Sequence, residues 1–357
     1  MSPKRLPARS HDWIYRIPSW RVPFDPEDRV MRGREIEWLM PSLREREFDL
    51  IHMQTPFVAH QAGIRLARRL GIRALATYHT YFEQYLGHYV PLAPDALLRL
   101  LARSLSRWQC NAVNSVVVPT RVFRDVLAGY GIRTPMVVIP TGIEPVRFEP
   151  GSRDTFLKRY GLGPSQPVLL YVGRLCHEKN IEFLLKVMCE IQERIPDALL
   201  IVTGEGPAER HLRRMAELLG LKRNVLFLGY IRNPRELNDC YAAADAFVFA
   251  SRTETQGLVP LEAMAQGTPV ISTAVMGTRE ILEHGRGALI AQEDVDEFAD
   301  KVVELLENPL LRSRLSDAAR DYARGWSATA MAQMMIDLYR GVVARQGDTA
   351  GLCIERH

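Results

Sequence analysis

The chain of 357 residues is long enough for two ordinary domains, and its 47% hydrophobic and 25% charged residues are typical of a globular protein. No apolar run is long enough to span a membrane, and no charged-then-apolar leader opens the sequence. The five cysteines form no C-x-x-C pair, which disfavours a disulfide framework or zinc site and fits a reducing cytoplasm. The net charge is +4, with the basic excess in the first 150 residues, which suits an anionic ligand or surface or ordinary solvated arginines.

The first half of the chain alternates weakly between short apolar runs and helical patterns. Its predicted strands are Asp49–Met53, Ala74–His79, Ser115–Pro119 and Met136–Pro140. Its predicted helices cover about Ala59–Leu70, Ala96–Asn111 and Arg121–Tyr130. The stretch "PTGIEPVRFEP" that follows is rich in proline, which is typical of a linker.

The second half alternates more clearly between strands and helices. Its predicted strands are Pro167–Gly173, Ala198–Thr203, Val225–Tyr230, Ala246–Ser251, Pro269–Thr273 and Ala288–Ala291. Helical patterns lie between them, as at Ile181–Ile195 and Ala208–Leu219, and a last amphipathic helix covers Ser327–Arg345. Continuous apolar strands separated by helices predict a doubly wound α/β fold with a parallel sheet of about six strands. Ligands bind such sheets at the carboxyl ends of the strands.

Two loops at these strand ends contain residues suited to phosphate. In "YVGRLCHEKN", Gly173 ends a strand and is followed by the cations Arg174 and Lys179 before the next helix. Glycine permits close backbone approach, and the two cations could hold a diphosphate or could simply be surface residues beside a turn. In "IVTGEGP", Gly204 opens a tight loop in which a structural turn is the favoured interpretation of Glu205. Neither segment is a P-loop or a G-x-G-x-x-G fingerprint, which argues against a nicotinamide-dependent dehydrogenase.

Two glutamates occur eight positions apart in "TETQGLVPLE". Glu254 lies in the loop after a predicted strand, and Glu262 is expected in the first turn of a helix that opens at Leu261. A carboxylate in a first turn is favoured by the helix dipole, so Glu262 has a purely structural interpretation. Both carboxylates could instead accept hydrogen bonds from the hydroxyl groups of a sugar-containing ligand.

The segment "SRTETQGLVPLEAMAQGTPVI" resembles the E-x7-E segment of retaining glycosyltransferases of family 4. The segments "GRLCHEKN", "VTGEGP" and "IPTGIEPVRF" occur in the same order in that family, and the resemblance covers roughly residues 45–345. It implies the GT-B fold, in which two Rossmann-like domains face each other across a cleft. It also implies transfer of a hexosyl group from a nucleotide-diphosphate sugar with retention of configuration.

The resemblance assigns roles to individual residues. It implies that Glu262 binds the donor ribose, that Glu254 binds the donor sugar, and that Arg174 and Lys179 hold the diphosphate. Donor binding would also involve Gly173 and Gly204, with backbone amides supplied by Gly257, Leu258 and Val259. Since the cations would neutralise the leaving diphosphate, no metal or other cofactor is expected, and "DVD" at 294–296 is interpreted as a helix cap.

The segments "HMQTPF" and "TYHTYFEQY" resemble the branch of the family that glycosylates lipids such as diacylglycerol. The resemblance implies that His79 binds the transferred sugar and that Gln54, Thr55, Tyr81 and Tyr85 surround the acceptor. UDP-glucose is the first expectation for the donor, GDP-mannose is a second, and nucleic acid is not an expected partner.

The segment "PDALLRLLARSLSRWQC" predicts a basic amphipathic helix. Leu97, Leu98, Leu101, Leu105 and Trp108 share one helical face, and Arg99, Arg103 and Arg107 form another. Such a helix can lie on an anionic membrane, or it can pack on its own sheet with the arginines in solvent. A cytoplasmic protein bound peripherally to the inner face of the cell membrane is one expectation from this pattern.

The first 45 residues depart from the family because they contain no strand, Gly-Gly loop and helix in succession. The expected first domain, 1–142, is therefore N-terminally incomplete and should expose unpaired backbone and apolar surface. A linker is expected over 143–165, a nucleotide-sugar-binding domain over 166–326, a helix packing back toward the first domain over 327–345, and a tail over 346–357. The alternatives to a lipid hexosyltransferase are a non-catalytic or partner-dependent nucleotide-sugar-binding chain and a polysaccharide-directed hexosyltransferase.

Overall fold

The computed structural model describes residues 14–22, 25–33, 36, 39–79, 81, 94–283 and 286–352. The chain divides into two compact units. The first comprises Met1–Val118, Val126–Val137 and Ile336–His357, and the second comprises Pro119–Asp125 and Val138–Met335. Each unit is an α/β layer structure, so the predicted fold class is confirmed.

The first unit is built on a four-stranded sheet. Its strands are β3 (Leu50–Met53), β4 (Arg73–Thr77), β5 (Ser115–Val118) and β6 (Met136–Val138), in the order β3-β4-β5-β6. The pairs β3-β4 and β4-β5 are parallel. All four strands were predicted within a few residues of these bounds, because each is a short apolar run. Every residue of β5 is buried, as expected for a strand covered on both faces.

A small hairpin precedes this sheet and was not predicted. Its strands β1 (Ser19–Val22) and β2 (Asp25–Met31) pair in antiparallel fashion. The sequence "DPEDRVM" of β2 is polar and contains proline, so it lacks the apolar alternation on which the prediction relied. In the described part of the chain, β3 is paired on one side only and forms an edge of the larger sheet.

The helices associated with the first sheet are α1 (Met40–Glu45), α2 (Phe57–Leu70), α3 (Asp95–Cys110) and α4 (Arg121–Gly129). The last three were predicted, with ends that differ by one or two residues. Helix α2 ends at Gly71, whose φ of 70° closes the left-handed cap that glycine adopts without strain. Among the described helices, none is both long and apolar enough to cross a membrane.

The second unit contains the six-stranded parallel sheet that the sequence predicted. Its strands are β7 (Val168–Val172), β8 (Leu199–Thr203), β9 (Val225–Gly229), β10 (Ala246–Phe249), β11 (Val270–Ser272) and β12 (Ala288–Ile290). Their spatial order is β12-β11-β10-β7-β8-β9, which is the order of a dinucleotide-binding Rossmann sheet. The strand order reverses between β7 and β10, so the crevice where ligands bind such sheets lies at the carboxyl ends of these two strands.

The helices of the second unit surround its sheet. They are α5 (Arg153–Tyr160), α6 (Ile181–Arg194), α7 (Glu209–Leu218), α8 (Pro234–Ala243), α9 (Leu258–Ala265), α10 (Gly277–Leu282), α11 (Val295–Glu307) and α12 (Pro309–Arg324). The last helix, α13 (Ala328–Leu352), begins in the second unit and belongs to the first unit from Ile336 onward. Short 3-10 turns occupy Pro145–Phe148 and His177–Lys179. The side chain of Asp294 accepts a hydrogen bond from the backbone N–H of Glu297 at 2.9 Å, so the predicted capping role of "DVD" is confirmed.

The core of the second unit is packed with large side chains. Tyr171, Phe247 and Phe249 are at most 1% exposed, and the ring of Phe249 stacks on those of Tyr171 in β7 and Phe247 in β10. Phe183 of α6 meets Phe298 of α11 edge to face, with ring centroids 5.5 Å apart. Burying such rings stabilises a fold by roughly 2–3 kcal/mol each, so the sheet is a rigid platform for the loops at its edge.

Candidate functional site

Two of the predicted loops meet at the switch point of the second sheet. Strands β7 and β10 are hydrogen-bonded neighbours, with Leu169 opposite Ala246. The Nζ of Lys179, in the loop after β7, donates a hydrogen bond to Oε1 of Glu254, in the loop after β10. Both side chains are largely buried, at 15% and 17% exposure. Two residues assigned to one site from the sequence are therefore in contact.

The loop after β8 supports the loop after β7. The N–H of Leu175 donates to the carbonyl of Glu205 at 2.9 Å, and a Cβ on Gly204 would collide with the carbonyl of Gly173. Gly204 has a φ of 131°, which only glycine adopts readily. This close packing explains the glycine without any ligand, and a direct contact of Gly204 with the donor stays a prediction.

Arg174 lies in the same loop as Lys179. Its carbonyl oxygen accepts a hydrogen bond from the buried hydroxyl of Tyr171 at 3.2 Å. Its side chain is exposed to solvent. The backbone is therefore fixed while the guanidinium is accessible to an anion at the sheet edge.

Helix α9 begins earlier than the sequence predicted. It starts at Leu258, and its N-cap is Gly257, which has a left-handed conformation of φ 94° and no side chain to cap the helix. Pro260 is inside the first turn, where its missing N–H costs no helical hydrogen bond, so the predicted start at Leu261 was three residues too late. The uncapped N–H groups at this end are suited to binding an anion, as the prediction for Gly257, Leu258 and Val259 requires.

Glu262 consequently lies in the second turn of α9 rather than the first. Its structural interpretation as a first-turn carboxylate favoured by the helix dipole is therefore wrong. Its Oε2 accepts a hydrogen bond from the hydroxyl of Tyr241 at 2.8 Å, and its Oε1 lies 3.7 Å from Nε of Arg147. Burial raises the pKa of Glu262, while the Tyr241 hydroxyl and the Arg147 charge oppose that rise.

Tyr241 and Arg147 were not recognised from the sequence. Tyr241 is completely buried in α8, where a tyrosine resembles any other core aromatic. Arg147 lies in the proline-rich segment that was interpreted as a linker, and its Nη1 also donates to Oδ1 of Asn238 at 2.8 Å. A single arginine within "EPVRFEP" was the available signal, but only the fold brings it to α9.

Several buried hydroxyl groups at this edge of the sheet have no hydrogen-bond partner among the residues that the structure describes. They belong to Ser251, Thr253, Thr273 and Thr278, which follow β10, follow β11 or lie at the start of α10. Buried polar atoms are nearly always paired in folded proteins. Their concentration at the carboxyl ends of two adjacent strands is typical of a site for a ligand rich in oxygen atoms.

In the first unit, His79 and the predicted acceptor residues lie at the carboxyl ends of β3 and β4. Nε2 of His79 donates to Oε1 of Gln54 at 3.1 Å, and both side chains line a solvent-open pocket together with Thr55 and His60. Burial lowers the pKa of His79, so its imidazole is mainly neutral at pH 7. Tyr81, two residues after His79, is partly buried. Tyr85 lies outside the described residues.

A second histidine, His52, was missed. One ring nitrogen pairs with the hydroxyl of Tyr339 and the other with Oγ1 of Thr77, each at 2.6 Å. Burial, followed by the neighbouring His79, lowers the pKa of His52 to about 4. The last helix thus contributes Tyr339 to a polar network beside His79.

The amphipathic helix α3 divides its apolar residues between two faces. Leu98 is 6% exposed and packs inward, so its predicted place on the same face as Leu97 and Trp108 was wrong. The residues that are about half exposed or more are Leu97, Leu100, Leu101 and Trp108. Arg99, Arg103 and Arg107 are also exposed. The helix therefore packs on its sheet and presents an apolar ridge flanked by arginines.

Comparison with known proteins agrees with this architecture. The protein-family model "Glycosyltransferase Family 4" matches residues 1–147, and the family model "Glycosyl transferases group 1" matches residues 152–322. Among solved structures, sucrose-phosphate synthase from Thermosynechococcus elongatus has a TM-score of 0.73 at 23% identity, covering 91% of this chain and 86% of that one. HepE from Anabaena in complex with UDP has a TM-score of 0.73 at 19% identity, covering 86% and 82%.

Relatives that are similar in sequence include two synthases and a mannosyltransferase. An alpha-monoglucosyldiacylglycerol synthase of Streptococcus pneumoniae is 37% identical over 74% of this chain. The matched region spans 60% of that relative's length. An enzyme of the same name from Acholeplasma laidlawii is 25% identical, covering 91% of this chain and 84% of the relative. The GDP-mannose-dependent alpha-(1-6)-phosphatidylinositol monomannoside mannosyltransferase of Mycolicibacterium smegmatis is 30% identical, covering 88% and 86%. The chain belongs to the GT-B glycosyltransferases that combine a family 4 domain with a group 1 domain.

Proposed function

We propose that this chain transfers a hexosyl group from a nucleotide-diphosphate sugar to a lipid hydroxyl with retention of configuration. The observation that supports the donor class best is the meeting of Lys179 and Glu254 at the switch point. The uncapped N-terminus of α9 and the exposed Arg174 lie on loops at the same sheet edge. Together they offer cationic and N–H groups for a diphosphate and carboxylates for hydroxyl groups.

In the proposed reaction, the bond between the anomeric carbon and the diphosphate oxygen breaks while the acceptor oxygen bonds to the same carbon. The nucleoside diphosphate leaves with the bonding electron pair, and the proton of the acceptor hydroxyl passes to an oxygen of this departing diphosphate. Arg174, Lys179 and the amides of α9 would stabilise the charge that develops on the leaving group. Glu254 would orient the sugar, and Glu262 would bind the ribose.

The lipid acceptor is supported by two independent features. The two relatives that are named alpha-monoglucosyldiacylglycerol synthases are similar to this chain over most of its length. Helix α3 presents exposed Leu97, Leu100, Leu101 and Trp108 beside three arginines, which suits the interface of an anionic membrane. UDP-glucose and diacylglycerol are therefore the first substrates to test, with GDP-mannose as the second donor.

A transfer assay with each donor and mixed vesicles of diacylglycerol and an anionic lipid tests the proposal. We expect a glycolipid product with an α linkage from one donor, and NMR of the product establishes its configuration. Inverted configuration would contradict the mechanism. Nucleotide binding without transfer from any common donor to any lipid would contradict the enzymatic function and support a binding role. Transfer to a soluble saccharide with equal efficiency would contradict the lipid acceptor.

A further inference from the structure

The side-chain amide of Gln256 bonds both backbone groups of one residue, Thr141, and the proposed chemistry does not explain this contact. The residue is 4% exposed and lies between Glu254 and the Gly257 N-cap of α9. Its Nε2 donates to the carbonyl of Thr141 at 2.7 Å, and its Oε1 accepts from the N–H of Thr141 at 2.7 Å. A side-chain amide that satisfies both backbone groups of one residue fixes that residue and itself in a single arrangement.

Thr141 lies on the segment by which the chain enters the second unit at Val138. The contact therefore joins this connecting segment to the loop that contains Glu254. The opposite side of the loop is held by backbone contacts. The N–H of Gly277 donates to the carbonyl of Glu254 at 2.9 Å, and a Cβ on Gly277 would collide with the carbonyl of Thr255. The loop is thus held between α10 and the connecting segment.

We propose that Gln256 is a positioning residue, which holds the carboxylate of Glu254 and the N-terminus of α9 in register for the donor. This inference rests on the proposed function, since its effect on transfer assumes that the donor binds at this loop. Without the amide, the loop retains its contact with Gly277 and the hydrogen bond that the Thr120 hydroxyl donates to the carbonyl of Thr255 at 3.0 Å, but it loses its link to the connecting segment. A displacement of about 1 Å at a reacting group can reduce the rate by up to about 100-fold, so a residue without substrate contact can control activity.

The same unit supplies a matched control, Gln266. It is 8% exposed and its Nε2 also bonds the backbone of the connecting segment, donating to the carbonyls of Arg147 at 2.5 Å and Glu149 at 2.8 Å. It follows the last residue of α9, at the end of the helix remote from Gly257. A residue that merely anchors the connecting segment should therefore behave like Gln266, and a residue that positions the donor loop should not.

The test compares Gln256→Ala and Gln266→Ala in transfer from UDP-glucose to diacylglycerol. We expect Gln256→Ala to lower kcat/KM by about 10- to 100-fold, mainly through kcat, and Gln266→Ala to change it by less than about 3-fold. Melting temperatures are measured for both variants. Equal losses of kcat/KM at equal losses of stability would overturn the proposal.

Two further measurements keep the inference independent of the assay. Hydrogen exchange in the absence of ligand should be faster at the Gly277 amide in Gln256→Ala and unchanged in Gln266→Ala. Gln256→Glu keeps the acceptor and, when protonated, the donor, so its activity relative to the unmodified chain should fall as pH rises from about 6 to 9. Unchanged exchange at Gly277 overturns the positioning role even if transfer occurs. Absence of transfer by the unmodified chain contradicts the proposed function instead, and the exchange result still stands.

Discussion

The ammonium of Lys179 and the carboxylate of Glu254 form an ion pair across 75 residues of sequence, between the loops that follow β7 and β10. The family resemblance implies that Lys179 binds the diphosphate of the donor and that Glu254 binds its sugar. Under the proposed roles, their contact requires the diphosphate and the sugar to be bound within one side-chain length of each other. It also means that each residue determines the electrostatic environment of the other.

The first prediction concerns this pair. Glu254→Gln and Lys179→Met should each lower kcat/KM by about 100-fold or more, because each removes a charge proposed to act on the donor. The double variant should lose less than the sum of the single losses in activation free energy, with a coupling of about 1–2 kcal/mol. Steady-state kinetics of the four proteins provide the measurement, and strictly additive losses would contradict a shared site.

A matched control for that cycle is the pair of Arg194 and Asp300, which is exposed to solvent at 47% and 69%. Its removal by Arg194→Met should change the free energy of unfolding by about 0–1 kcal/mol and leave transfer unchanged. A comparable loss of activity in this control would indicate that the effects at Lys179 arise from general destabilisation.

The second prediction concerns Glu262. Glu262→Gln keeps the shape beside Tyr241 but removes the charge, so UDP affinity should fall by about 1–3 kcal/mol if the carboxylate accepts ribose hydroxyls. Isothermal calorimetry with UDP measures the loss, and Tyr241→Phe, which removes only the hydroxyl donor to Glu262, serves as the control. Unchanged UDP affinity in Glu262→Gln would contradict the ribose role.

The third prediction is a pH dependence of stability that involves His52. Because burial lowers its pKa from 6.5 to about 4, the unfolded chain binds a proton more readily than the folded one in this window. The contribution of His52 is therefore present above pH 6.5 and is lost as pH falls toward about 4. Urea unfolding should show a shallower decline over this range in His52→Gln than in the unmodified chain. Parallel declines would show that His52 does not contribute.

The fourth prediction concerns helix α3. Replacing Arg99, Arg103 and Arg107 with Glu should abolish sedimentation with anionic vesicles, because the arginines lose their attraction to the lipid headgroups. Leu100→Ser with Leu101→Ser should weaken binding to anionic and neutral vesicles alike, since it removes apolar surface only. Equal vesicle binding by the charge-reversed variant and the unmodified chain would exclude α3 as the membrane contact.

The residue pattern alone was sufficient for the parallel sheet of the second unit and for the position of most of its loops. Each strand is a short apolar run such as Val168–Val172. A strand buried on both faces requires such a run, and a run of this length is too short for a helix. The pattern failed at the hairpin of Ser19–Val22 and Asp25–Met31, whose polar residues carry little periodic signal. It also misplaced the start of α9, because proline occurs both in turns and in first helical turns.

The side-chain partnerships of the candidate site depended on the tertiary structure. Sequence motifs identified Lys179 and Glu254 in loops after strands and Glu262 in the helix that follows, since the chemistry of a strand–loop–helix segment is local. The contacts of Glu262 with Tyr241 and Arg147, and of Gln256 with Thr141, join segments that are remote in sequence. Such contacts arise only when the crossovers bring different strand ends and the connecting segment together, and no local periodicity encodes that arrangement.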